Sequence, residues 1–140
     1  MAYIIIPFLA WLVSQTLKFL IRVWHGKGLN WQNAVWTYLW AGGPPSSHSA
    51  IVSSALYLVW LEEGGSAVFV FCFVAALIVM FNLVEGFKKE QLFEQYLKED
   101  REPWVEKIFN DGKLLDISGH RLYEIFFGVL VGLVVAILSV

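Results

Sequence analysis

The chain has 140 residues, 58% of them hydrophobic and only 16% charged, with a formal net charge of −2 and a mean hydropathy of +0.62. Soluble domains are nearer half apolar and a quarter charged, so the composition excludes a water-soluble globular domain and points to one compact membrane domain. A single cysteine, Cys72, excludes an intrachain disulfide framework, and the charge balance gives no reason to expect a nucleic-acid partner.

The first apolar run predicts a membrane span over about 2–24, interrupted near its start by Pro7. It lacks the basic leader and small-residue cleavage site of a signal peptide. Lys18 and Arg22 fall in its last turns, four residues apart and therefore on one face. After a loop at 26–30, the stretch 31–40 carries three tryptophans and a tyrosine. It is too short to cross a bilayer and reads as an interfacial or half-inserted helix. A sharp turn follows, Gly42-Gly43-Pro44-Pro45, and then a second span over about 46–61. Glu62-Glu63-Gly64-Gly65 turns the chain into a third span, 66–84. From Glu85 to about Lys113 the chain is charged, with Phe93, Tyr96 and Leu97, then Trp104, Val105 and Ile108, at helical spacing. Pro103 divides this region, which predicts two amphipathic helices lying along the membrane surface. The last span covers 118–140. The expected fold is an all-α polytopic membrane protein with four transmembrane helices and short interfacial helices.

Four crossings bring distant residues to one side. The end of the first span, the start of the second, the end of the third and the start of the fourth share a face. Lys18, His48, Asn82, Lys88, Lys89, His120 and Glu124 then lie together. All ten Lys and Arg residues fall on that same side, so the positive-inside rule makes it cytoplasmic and puts both termini outside. The expected location is a bacterial plasma membrane.

Several of these residues have chemistry to offer. Ser46, Ser47 and His48 sit where a helix begins, and unpaired N–H groups and the helix dipole favour an anion there. Ser46 and Ser47 serve equally well as N-caps, which use the same donors. His120 and Glu124 are four apart; on a helix they face the same way, and a carboxylate fixes an imidazole tautomer and leaves the other nitrogen basic. A structural His–Glu tether has the same spacing. Lys18, with Arg22 one turn on, reads as a phosphate clamp or as a snorkelling span end. Lys88 and Lys89 reach a phosphate or attract anionic lipid heads. Gly128 and Gly132 form a small-xxx-small step that helix packing explains, and His25 reads as an interface residue.

Gly-Gly-x-Pro-Ser-Ser-His-Ser-Ala at 42–50, together with Gly-His-x-x-x-Glu-Ile-Phe-Phe-Gly at 119–128, resembles the small divergent branch of the type 2 phosphatidic acid phosphatase superfamily, also described as acid phosphatase/vanadium-dependent haloperoxidase-related. The likeness extends over Gln15-x-x-Lys18, the Gly65-Ser66 turn, Val79-Met80-Phe81 and Leu114-Leu115-Asp116. It implies that His120 is a nucleophile forming a phosphohistidine, Glu124 its orienting acid, and His48 the acid that protonates the leaving oxygen. Lys18 matches the first-motif lysine. No metal or other cofactor is implied, because neutralising charge on the equatorial oxygens supplies most of the rate in phosphoryl transfer. The chain departs from the pattern where the branch carries Met-[Tyr/Phe]-Asp and then Gly-Val-Arg-Arg. Here Asn82 takes the aspartate's place, and Glu85-Gly86-Phe87-Lys88-Lys89 replaces the basic tail. His25 stands where the superfamily has an arginine, and lysine does not replace a bidentate arginine clamp equivalently. Arg22, Asn82, Asp116 and Arg121 are candidates for supporting roles.

The expected function is therefore hydrolysis of a phosphomonoester or pyrophosphate on a membrane lipid at the cytoplasmic interface. A non-catalytic lipid-phosphate binder or carrier, and a membrane scaffold docking anionic lipids, are the alternatives. Four spans are fewer than the six usual in lipid phosphatases, and a homodimer is one way to complete the fold.

Overall fold

The structure, a computed structural model, describes residues 1–26, 30–39, 43–99 and 120–140. Five helices make up those residues: α1 (Ala2–Trp24), α2 (Trp31–Leu39), α3 (Ser47–Glu63), α4 (Ala67–Glu99) and α5 (Leu122–Ser139). No strand occurs among the described residues. By length and composition, α1, the Ala67–Lys89 part of α4, and α5 are able to cross a membrane. With 17 residues, α3 measures about 25 Å at 1.5 Å per residue. That falls slightly short of the roughly 30 Å hydrocarbon layer, and α3 is the helix the others surround.

Inside and outside are reversed relative to a soluble protein. The fully buried side chains include Ser14, Thr37, Ser46, Ser49 and Ser54, while Phe71, Phe81, Phe126 and Leu138 lie exposed. This is the arrangement lipid demands. Apolar side chains gain nothing by leaving hydrocarbon, so small and polar residues make the helix contacts.

The contact between α3 and α5 follows that rule. A Cβ at Gly128 would strike the Ser46 carbonyl and approach the Ser49 Cβ to 2.9 Å, and one at Gly132 would strike the Ala50 carbonyl and the Ser53 hydroxyl. Only glycine permits the two backbones to come so close. The Ser53 hydroxyl shares its proton between Ala50 O at 3.3 Å and Val129 O at 3.2 Å, tying the helices together. Because Gly128 meets Ser46 and Gly132 meets Ala50, the two helices run parallel. At their far end Ile6, Leu58 and Ala136 form an apolar cluster with Tyr57 packed against it, and Tyr3 lies beside Glu62. So α1 runs antiparallel to both, with the start of α1 and the end of α5 at one end of the bundle.

Two expectations need correction. Pro7 sits inside α1 without interrupting it; the missing N–H lies near the helix start, where it costs one bond only. The charged stretch after the third span does not begin a separate surface helix. α4 continues through Glu85 to Glu99, because the shift from apolar to charged residues contains no proline or capping signal to stop it. At 33 residues it is about 50 Å long, so its last turns extend beyond the bilayer. Pro103 and the second amphipathic helix expected after it lie outside the described residues.

Candidate functional site

The turn before α3 builds the first half of the site. Gly43 adopts φ +103°, a left-handed conformation that disfavours any other residue, and the Pro44–Pro45 bond is cis. Ser46 then caps the helix: its hydroxyl accepts from the Ser49 N–H at 3.4 Å and from the Ser49 hydroxyl at 3.0 Å. Its own N–H donates to the Glu124 carbonyl at 3.0 Å. Ser46 is thereby fully buried and its side chain spent on the cap, with Ser47 buried beside it. His48 projects from the first helical turn and is exposed among the described residues.

The second half is the entry to α5. His120 precedes the helix and is only 4% exposed; its N–H donates to the Leu83 carbonyl of α4 at 3.0 Å. The His48 and His120 rings, 72 residues apart in sequence by subtraction of their numbers, stand with centroids 5.8 Å apart and planes at 87°. Lys18, 3% exposed, is close enough to His48 to act on it electrostatically. Helices α3 and α1 and the residue before the α5 cap thus bring His48, Lys18 and His120 to one place, at the end of the bundle where α3 and α5 begin.

Glu124 also has a capping role. Its Oε2 accepts from the Arg121 backbone N–H at 3.3 Å, and the carboxylate is buried. The reason lies in where the helix begins. α5 starts at Leu122 with Arg121 as its N-cap, so His120 stands outside the helix and the four-residue spacing is not a helical one. The carboxylate satisfies a free donor at the helix start, where an acid is favoured.

The remaining candidates divide into neighbours and outliers. Arg22 is half-buried, and its Nε has no hydrogen-bond acceptor among the described residues. The Arg121 guanidinium lies 5.5 Å above the Phe87 ring, an attraction between cation and π-face. Asn82, Lys88 and Lys89 are exposed on α4, and Lys89 pairs with Glu85 at 3.5 Å. Asp116 lies outside the described residues. At the end of α1, His25 donates its Nδ1–H to the Ile21 carbonyl at 2.7 Å, so it closes that helix.

Some supporting residues had no role assigned from the sequence. Gln15 is buried and donates its Nε2 to the Tyr38 carbonyl at 3.0 Å, while the Tyr38 hydroxyl and Thr16 share a 2.7 Å bond. These bonds fasten α2 to α1 beside Lys18. Ser49 and Ser53 could have been found as a row of small polar residues on an otherwise apolar span. Leu83 contributes only its carbonyl, which no side-chain pattern announces.

Comparison with known proteins extends the geometry. The profile of a family described as the Divergent PAP2 family matches residues 1–135. An uncharacterized membrane protein of Bacillus subtilis (strain 168), YuiD, is 30% identical over 137 residues, covering 89% of this chain and 84% of the relative. No solved structure matches. Since the family profile runs over nearly the whole chain, including the turn that carries His48 and the helix entry that carries His120, the protein belongs to the divergent PAP2 family.

Proposed function

We propose that the protein is a membrane lipid-phosphate phosphatase acting from the cytoplasmic face through a phosphohistidine on His120. The observation that carries this reading is the pairing of two imidazoles 5.8 Å apart beside the buried Lys18. Rings at that separation are near enough for one tetrahedral anion to touch both. His120, neutral at one ring nitrogen, attacks phosphorus as the bond to the lipid alkoxide breaks. His48 gives that leaving oxygen its proton, and then takes one from the water that releases inorganic phosphate and restores His120. Lys18 and the first N–H groups of α3 balance charge on the equatorial oxygens. The cytoplasmic orientation, in a bacterial plasma membrane with both termini outside, is supported by the basic residues Lys18, Arg22, Lys88, Lys89 and Arg121 at or near the helix ends on the His side.

Phosphate release from phosphatidate in detergent micelles tests the reading. His120→Ala should abolish release and the acid-labile phosphoprotein with it, while His48→Ala should slow release by roughly 10²–10⁴-fold. Unchanged release in both variants overturns the mechanism.

One observation favours the non-catalytic binder as a second reading. The Glu124 carboxylate serves the Arg121 N–H and so is partly committed away from orienting a nucleophile. Phosphatidate binding by the wild type with no phosphate release would establish the binder in place of the phosphatase.

A further inference from the structure

A cavity of about 490 Å³ lies between α3, α4 and α5, lined among others by Tyr57 and Trp60, Phe73 and Met80, and Val129 and Leu133. Its surface is almost wholly apolar, and the Ser53 hydroxyl at its edge is already engaged with Ala50 O and Val129 O. At one end Trp60 meets Phe69 edge-to-face at 5.0 Å, and Phe69 stacks on Phe73 at 6.1 Å. These rings wall the end remote from the histidines. At the other end lie Ser53, five residues along α3 from His48, and Met80, three residues before the Leu83 carbonyl that holds His120. Five residues of helix are about 7.5 Å. The cavity therefore begins one to two turns deeper in the bilayer than the imidazole pair and continues away from it.

We infer that this cavity seats a hydrocarbon tail of the lipid whose phosphate lies at His48 and His120, and that it selects among tails. The inference rests on the lipid-phosphate reading above. A lipid bound by its head at the interface must direct its tails inward, and the cavity lies on that path, between the helices that carry the two histidines. Entering it gains the tail little hydrophobic free energy, because the bilayer is as apolar as the cavity. What the cavity supplies is direction and shape: a tail fixed along α3 holds the phosphate against the rings, so remote contacts are used to orient the reacting group. Filling the space should act on tail preference and leave the head chemistry intact.

The test uses phosphatidate with a photoreactive diazirine in one acyl chain, added to the purified full-length protein, with labelled residues located by mass spectrometry. Labelling should concentrate on Tyr57, Phe69, Phe73, Met80, Val129 and Leu133. Unlabelled phosphatidate should compete it away, and diacylglycerol with the same tails should not. Leu133→Trp, which fills the cavity from α5, should lower this labelling roughly tenfold; Met80→Trp fills it from the lightly packed α4 and serves if the first variant does not fold. In the release assay, both variants should lose turnover of long-tailed phosphatidate by a similar factor and retain it for a short-tailed one. Labelling spread equally onto the outward residues Phe71 and Phe81, or competed equally by diacylglycerol, overturns the inference, because the cavity then holds bulk lipid. Cavity labelling that phosphatidate competes, with no phosphate release by the wild type, sinks the hydrolase and leaves the tail site standing. Release with labelling that the filled variants do not lower sinks the tail site alone.

Discussion

The α3–α5 contact and the α4 helix solve the same problem in opposite ways. Where α3 meets α5, the residues are glycine, serine and alanine, the backbones nearly touch, and Ser53 bonds across the gap. α4 is rich in phenylalanine, leucine and isoleucine, yet most of those side chains face outward, Phe71 being 76% exposed. In water the second helix would be the core and the first a weak seam. In lipid the ranking inverts, since close backbone approach and satisfied polar groups, not apolar area, hold helices together. The site occurs where the tight seam opens, with its second ring hung from the loose helix.

The comparison can be broken most severely at the seam. Gly132→Leu forces a side chain into the Ala50 carbonyl and should cost at least the roughly 1–3 kcal/mol typical of overpacking, seen as loss of a monodisperse peak in size-exclusion chromatography. A well-behaved variant would mean the helices do not pack as described. Ser46→Ala removes the α3 cap, and about 1 kcal/mol of stability should go with it; a thermal melt in detergent reads this, and an unchanged midpoint would argue against the cap. For Ser53→Ala, which loses the bond to Val129 O, the expected loss is smaller, about 0.6 kcal/mol. Double substitution with Val129 neighbours would not recover it, because the acceptor is backbone. Smallest of all is Phe71→Leu on the outward face of α4, within about 0.5 kcal/mol of wild type. A large drop there would show that this face is covered by protein and not by lipid.

Much of this was readable in the sequence, for identifiable reasons. Apolar runs disclosed the helices because lipid requires them to be long and continuous, and the Gly-Pro turn disclosed the start of α3 because few residues tolerate that backbone. The alternation of spans placed His48 and His120 at one end without any knowledge of packing. What could not be read depends on where a helix begins. Four-residue spacing from His120 to Glu124 means one face only inside a helix, and α5 starts two residues too late. Helix propensity likewise does not distinguish lipid from water, so the charges after Val84 marked the edge of the membrane and not the end of α4. The Leu83 carbonyl that carries His120 is a backbone group and leaves no trace in side-chain chemistry.

The bond from His120 to Leu83 couples the gap between the imidazoles to the posture of α4, which packs chiefly against α3. An apolar rod in a bilayer leans further when the membrane thins and stands up when it thickens. Moving the reconstituted protein between short-chain and long-chain phosphatidylcholine vesicles should therefore shift His120 relative to His48, which side-chain nuclear magnetic resonance of the two rings can follow, while Ser53 and Val129 keep their places. If both pairs hold still, α4 is stiffer than its sparse contacts imply; if the rings move, membrane thickness becomes a control on this protein's working aperture.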